Sequence, residues 1–321
     1  MKKIYAEFQP LTKLKTPVLF LVFNRPDTTI QVFDIIKKAQ PLKLYIAADG
    51  PREDVYGERE KTDIVRDIVS KVTWDCDVYT LFRKKNYGCR VAVSNAIDWF
   101  FENEEAGIIL EDDCLPSLSF FWFCQDMLDK YKNDSRVGQV SGTNILGTFP
   151  TDSTYFYSNF GSVWGWATWR RAWELYDVNM KGWKHASEEG YNLKKTIGSF
   201  VDFKVRKRNF NMTYNGEIDT WDYQWIFTRL YNRMLVIIPS HNTVTNIGFS
   251  DMATHTVSSN SKSNSLKSYN LDLNYRHPKG FIPRYDFEKK VTVHKRGVFG
   301  CSPWYCTKRL FNKLFTRRWY G

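Results

Sequence analysis

The chain has 321 residues, 17 % of them aromatic, and a formal net charge of +11 from 46 Lys/Arg against 35 Asp/Glu. That length can bury a substantial core, as one large domain or as one domain with an appendage, and no stretch approaches the roughly 18–20 apolar residues of a membrane-spanning helix. Nine of the basic residues fall in 289–321, which has no Asp or Glu; the remainder carries 37 basic against 35 acidic residues, a near-neutral body that argues against a nucleic-acid groove across it.

Residues 17–23 read as a first buried strand, followed by the turn Asn24-Arg25-Pro26-Asp27. Asp27 is a plausible helix cap there, and Ile30, Phe33 and Ile36 follow at helical spacing. Residues 42–48 form a second strand ending on Asp49-Gly50-Pro51. A charged loop then leads to a helix carrying Ile64, Val65, Ile68, Val69 and Val72 on one face. Residues 78–82 are a third strand, closed by Asn86-Tyr87-Gly88, and the next helix groups Val93, Ala96, Ile97, Phe100 and Phe101.

The fourth strand, 106–110, stops on Glu111, Asp112 and Asp113. A short apolar run of this kind suits a strand buried on both faces of a parallel sheet. In open α/β sheets ligands bind beyond the carboxyl ends of the strands, so the triplet stands where chemistry is usually done. Three adjacent carboxylates raise one another's pKa unless a cation neutralises them. An oxygen-only donor set favours Mg²⁺ or Mn²⁺ over Zn²⁺. A solvated acidic loop is the other reading of the triplet taken alone.

Pro116 opens a further helix with Phe120, Cys124, Met127, Leu128 and Tyr131 inward. Strands alternating with helices predict a mostly parallel central sheet flanked by helices, Rossmann-like in outline. A phosphate cradle of Rossmann or P-loop type needs glycines after the first strand. Phe23-Asn24-Arg25-Pro26 contains none, so phosphate must be held differently, and a metal at the acidic triplet supplies the means. Six cysteines show no metal-ligand repeat; with a basic N-terminus that lacks an apolar core, they read as reduced thiols of a cytoplasmic protein. Trp166, Trp169 and Trp173 recur at helical spacing and read as core. Trp164, beside Gly161 and Gly165, is the better candidate to approach a sugar.

In this order the motifs resemble those of GT-A glycosyltransferases. The resemblance rests on Asn24-Arg25-Pro26 after the first strand, Asp49-Gly50 after the second, Asn86-Tyr87-Gly88 with Ser94-Asn95, and Glu111-Asp112-Asp113. The triplet followed by Pro-Ser and an aromatic-rich helix is similar to the N-acetylglucosaminyltransferase I family and its bacterial relatives. That similarity continues through 160–166, 220–225 and 245–248. The resemblance implies a GT-A fold and a nucleotide-sugar donor, with a UDP-sugar favoured. It places Asp49 on the nucleoside base, Asn86 and Asn95 along the nucleoside pocket, and Glu111 and Asp112 on the donor ribose and sugar. Phe23, Asn24, Arg25 and Trp164 join the donor site, and Asp113 becomes the direct ligand of Mn²⁺ or Mg²⁺. His255, which follows Asn246-Ile247-Gly248, is a further candidate for the metal or diphosphate, and an exposed loop histidine otherwise.

Sugar transfer needs the charge on the departing diphosphate neutralised and a carboxylate to take the acceptor hydroxyl's proton. The family has two neighbouring acids after its tryptophan, whereas here Trp221 is followed by Asp222 and then Tyr223. Asp222 is the favoured base, with Trp221, Tyr223 and Trp225 walling it off; Asp219 is the alternative. A base separate from the metal site fits an inverting route to a hydroxyl of a glycan or lipid-linked glycan acceptor. A sugar-phosphate nucleotidyltransferase, or a non-catalytic binding module on the same fold, are the competing readings.

By composition the catalytic domain spans 1–255, in a nucleotide-sugar part (1–140) and an acceptor part (141–255). A flexible Ser/Asn-rich linker and extension follow at 256–288, then a basic tail at 289–321. From Pro303 onward, Leu310, Phe311, Leu314, Phe315 and Trp319 share one helical side, bordered by Lys308, Arg309, Lys313, Arg317 and Arg318. Such a helix suits the headgroup region of an anionic membrane. It would hold the enzyme on the inner face of the cytoplasmic membrane, for instance in bacterial surface polysaccharide synthesis. Packing of the helix on the body is the alternative.

Overall fold

The structure is a computed structural model that describes residues 8–10, 12–188, 193–248 and 266–300. The first strand, β1 (Val18–Val22), is buried along its whole length, as its unbroken apolar sequence requires. Helix α1 (Pro26–Ala39) begins with proline at its first position, where a missing N–H costs nothing and the fixed φ suits the turn. Arg25, not Asp27, is the N-cap; Asp27 lies inside the first turn. Thr29, Val32, Phe33, Ile36 and Ala39 turn inward, while Ile30 is 47 % exposed. Strand β2 (Lys43–Ala48) leads to α2 (Glu58–Val69), which buries Val65 and Val69 and leaves Ile64 43 % exposed. Strand β3 (Asp77–Phe82), helix α3 (Gly88–Asn103) and strand β4 (Ala106–Glu111) complete the first half.

The second half is more irregular. A three-residue strand, β5 (Cys114–Pro116), precedes α4 (Ser119–Lys130), so Pro116 ends a strand and the helix starts three residues later. Strands β6 (Val137–Ser141), β7 (Tyr155–Ser158) and β8 (Trp166–Trp169) follow, then helices α5 (Arg170–Trp173), α6 (Gly182–Glu188), α7 (Leu193–Ile197), α8 (Phe200–Tyr214) and α9 (Asp222–Tyr231). Strands β9 (Leu235–Pro239) and β10 (Val244–Asn246) and helix α10 (Tyr285–Gly300) close the described chain.

Eight strands form one sheet in the order β3-β2-β1-β4-β8-β6-β9-β7. The first four run parallel. β8 is antiparallel to both β4 and β6, and β7 is antiparallel to β9, so the sheet is mixed beyond its first half. Strand order grows outward from β1 to β3 and then returns to β4 on the other side of β1. Right-handed crossovers therefore put α1 and α2 on one face and α3 on the other. The packing agrees: Val32, Phe33, Val65 and Val69 share a core with α4, whereas Ala96, Ile97 and Phe100 share one with Trp173, Trp221 and Trp225. The reversal between β1 and β4 opens a crevice beyond their carboxyl ends.

Trp166 and Trp169 are core residues, but of a strand and not of a helix. Three apart on β8, they point to opposite faces: Trp166 stacks on Trp221 with centroids 5.7 Å apart, and Trp169 donates its indole N–H to Leu128 O on the α4 side. A third core, beneath β7 and β9, takes in Phe149, Phe210, Phe227 and, from α10, Phe287 and Val291. The division expected at 288/289 thus falls inside α10, between two buried residues of one helix. The described part of the expected linker also packs on the body, because Leu271, Tyr275 and Phe281 supply apolar surface. Leu271 is buried, the Tyr275 hydroxyl donates to Asp126 at 2.8 Å, and Phe281 stacks on Tyr157. The amphipathic segment from Pro303, and Cys301 and Cys306, lie outside the described residues. Among those described, Cys76, Cys89, Cys114 and Cys124 are free thiols.

Candidate active site

A cleft of about 570 Å³ occupies the crevice at the β1/β4 switch point. Phe23, Asn24, Arg25, Asp49, Asn86, Glu111, Asp112, Asp113, Trp164, Asp219 and Asp222 all line it. Asn95 does not: it sits on the exposed side of α3, whose Cys89, Ala92 and Val93 face the cleft instead. His255 lies outside the described residues.

The strand ends hold one another in place. Beyond β1, the Phe23 amide donates to Asp112 Oδ2 at 3.1 Å. Asn24 Nδ2 donates to Glu58 Oε1 at 2.8 Å, and the Arg52 guanidinium clasps the same carboxylate while lying 5.8 Å from the Phe23 ring. Burial pushes the Glu58 carboxyl up, but the hydrogen bonds from Arg52 and Asn24 outweigh it and leave the group below its ordinary value. Beyond β2, Asp49 accepts from the amides of Gly50, Tyr87 and Gly88 at 2.9–3.1 Å and from Asn86 Nδ2 at 3.1 Å. Burial raises its pKa, with those amides pulling the other way. The carboxylate expected to read a nucleoside base is therefore occupied in fastening the 49–50 turn to the start of α3. Gly50 is obligatory in that junction, since a Cβ would come 2.4 Å from the backbone of Lys85.

The acidic triplet is compensated from within the chain. Arg25 Nη1 lies 2.8 Å from Asp113 Oδ2 and 3.9 Å from Asp112 Oδ1. Burial lowers the Arg25 pKa, and the fields of Asp112 and Asp113 more than restore it, leaving it raised. Glu111 is pushed well above the ordinary carboxylate range by burial, then by Asp113, Asp112 and Asp222, against Arg25. Asp112 is raised by burial and Asp113, against Arg25 and the Phe23 amide.

The β5–β10 pair, antiparallel with Asn246 opposite Cys114, brings a distant segment under Asp113. Asn246 Nδ2 donates to Asp113 Oδ1 at 3.3 Å and the Ile247 amide to Asp113 O at 2.8 Å. A Cβ on Gly248 would come 2.2 Å from Asp113 Oδ2, so only glycine lets the chain pass there. This contact spans more than 130 residues and carries no local sequence signal. Arg52 and Arg83 were also missed, because they stand in charged loops that read as solvated.

Across the cleft, Asp222 opens α9 and accepts a hydrogen bond from the Thr220 hydroxyl. Its field is among those that raise Glu111. Asp219 is exposed at the rim near Gly88, where a Cβ would lie 3.1 Å from Asp219 Oδ2. The expected aromatic wall around Asp222 is different in kind. Trp221 reaches the cleft, but Trp225 is fully buried beneath it with its indole N–H on Gln139 Oε1, and Tyr223 packs toward the third core. These rings anchor the start of α9.

A divalent cation would suit these donors. Mg²⁺ and Mn²⁺ take oxygen ligands, and Mg²⁺ is commonly held by one or two carboxylates together with substrate phosphates and water. Among the described residues no three His, Cys, Asp or Glu side chains close around a common point. Asp113 is nonetheless placed to offer one oxygen toward the cleft, and the Arg25 guanidinium already stands in as its positive partner.

No family model matches the chain, and no curated protein does. Among solved structures it is similar to 4-diphosphocytidyl-2C-methyl-D-erythritol synthase from Anaerococcus prevotii (10 % identity, TM-score 0.33, 50 % of this chain and 74 % of that one). It is similar to a cytidylyltransferase from Leptospira borgpetersenii (12 %, 0.30, 50 % and 63 %) and to an apo UDP-glucose pyrophosphorylase (8 %, 0.38, 72 % and 93 %). At these identities and TM-scores the likenesses establish no family and no activity.

Proposed function

We propose that the chain is a metal-dependent, inverting glycosyltransferase that moves a sugar from a nucleotide-sugar donor, a UDP-sugar by preference, to a hydroxyl of a glycan or lipid-linked glycan. The observation that carries this reading is one cleft, at the switch point, lined on one side by Glu111, Asp112 and Asp113 and on the other by a separate carboxylate, Asp222.

In this reading Asp113 holds Mn²⁺ or Mg²⁺, which when bound neutralises charge on the departing diphosphate. Arg25 releases part of its charge from Asp113 toward the same phosphates. Asp222, oriented by the Thr220 hydroxyl, takes the proton as the acceptor oxygen attacks the anomeric carbon from the face opposite the leaving group. The configuration inverts in a single displacement. Trp164 and Trp221 offer ring surface for sugar. The turn after β1 speaks against nucleotidyl transfer from a triphosphate: the Phe23 amide is committed to Asp112 and Pro26 has no N–H, so no backbone cradle forms there.

A thermal-shift screen against UDP-, GDP-, CMP- and dTDP-sugars, with and without Mn²⁺, identifies the donor class, and product analysis identifies the reaction. Release of a nucleoside diphosphate and a glycoside of inverted configuration is expected; release of pyrophosphate from a nucleoside triphosphate would replace this reading with nucleotidyl transfer. Asp113→Asn should abolish turnover and Mn²⁺-dependent donor stabilisation while the fold persists. Full activity of that variant, or of EDTA-treated wild type, would end the metal assignment.

A further inference from the structure

Strand β3 is one end of the sheet. Its sequence, Asp77-Val78-Tyr79-Thr80-Leu81-Phe82, contains no Lys, Pro or Gly, and its register with β2 is unbroken by any bulge. Asp77 through Thr80 are all exposed, and among the described residues nothing pairs with the outer edge. A regular, uncharged edge of this length is ordinarily blunted or covered, because its free N–H and C=O groups invite another strand.

The direction of those groups is fixed by the inner side. The Asp77 and Arg83 amides donate to Leu42 O and Ala48 O of the β2 side. Odd-numbered residues therefore turn their polar backbone groups inward, and Val78, Thr80 and Phe82 turn theirs outward.

We propose that this edge pairs with β3 of a second copy of the chain, antiparallel about a two-fold axis through Thr80. Charge selects that register. Centred on Thr80, Asp77 faces Arg83 and Asp75 faces Lys85, each twice by symmetry. Centred on Tyr79 or on Leu81, the same strand makes half as many opposite-charge pairs. Asp75, Asp77 and Lys85 are exposed, and Arg83 is half-buried with Nη1 on Ala92 O. Between the charged ends, Val78 opposes Phe82 on one face and Tyr79 opposes Leu81 on the other. Thr80 meets Thr80 at the axis, a favourable cross-strand pair. The strand is self-complementary in hydrogen bonding, charge and apolar surface at once.

Sedimentation equilibrium of the full chain should give twice the chain mass. Thr80→Pro removes the outward amide at the axis, a place where an edge strand accepts proline without losing its inner ladder. It should leave the far-ultraviolet circular dichroism unchanged and make the protein monomeric. Asp75→Lys and Lys85→Glu should each weaken dimerisation by about tenfold, and the double variant, which restores opposite charges across the axis, should recover it. A wild type that stays monomeric overturns the proposal, including one whose edge amides are shielded from hydrogen exchange by its own tail. So does a dimer that survives Thr80→Pro, or a charge pair without rescue.

Discussion

Asp222 and Asp219 stand three residues apart and face one cleft, yet their surroundings give them different roles. Asp222 is fixed by the Thr220 hydroxyl at the first turn of α9, within the electrostatic reach of Glu111. Asp219 is exposed at the rim beside Gly88. A base must be close to the reacting carbon, which lies near the metal-side carboxylates, so the geometry favours Asp222. Asp222→Asn should lower kcat by about 100- to 10,000-fold with donor affinity retained, since the carboxylate acts on the acceptor proton in the transition state. Asp219→Asn should mainly raise KM. The reverse pattern would move the base to Asp219, and retention of the donor's configuration would remove the base role from both. Most of these residues were legible because each ends a buried strand or opens a helix. Asn95 was misplaced for lack of a helical phase: Cys89, Ala92 and Val93 set the cleft-facing side of α3, and Asn95 falls off it.

At the scale of elements, the first four strands were legible because strands buried on both faces read as continuous apolar runs. Later strands of three to five residues carry too little pattern. Trp166 and Trp169 fit a helical repeat as well as a strand that places them on opposite faces, and only pairing with β4 and β6 decides it. Helix α10 was hidden by its basic composition. It is held by Glu288, whose Oε1 accepts from Ser158 Oγ at 2.9 Å and the Asn159 amide at 2.6 Å, while Oε2 is buried with no partner. Burial raises the Glu288 pKa, and the hydrogen bonds from Asn159 and Ser158 only partly offset it. The folded chain therefore binds this proton more tightly than the unfolded one. Stability from this group is fully present below the ordinary glutamate value and is lost as pH rises through the folded pKa. Glu288→Gln keeps an acceptor for both donors and carries no charge. Denaturant titrations from about pH 4 to 7 should show a flatter stability profile for the variant, with a gain of about 1 kcal/mol at the upper end. Parallel profiles would mean that Glu288 titrates alike in both states.

For the whole molecule, the relevant fact is where the charge sits. The body is near neutral, and residues 301–321 hold Lys308, Arg309, Lys313, Arg317 and Arg318 with no acid. No helix among the described residues is long and apolar enough to cross a membrane. The proposed lipid-linked acceptor would require the enzyme to work at a surface, and each basic residue near an anionic bilayer adds about 1 kcal/mol. Five of them, with Trp304 and Trp319 to sit among the headgroups, are enough for reversible attachment. Because α10 runs to Gly300 and buries Phe287 and Val291 in the body, a chain ending at Gly300 keeps that helix and removes only the segment in question. Full-length protein should co-sediment with vesicles containing phosphatidylglycerol at low salt, and should be released at about 0.5 M salt, where screening shortens the reach of the charges to a few ångströms. The shortened chain should stay in the supernatant under both conditions. Equal pelleting of the two forms would place the attachment on the body, and no pelleting of either would leave the tail without a membrane role while leaving the chemistry of the cleft untouched.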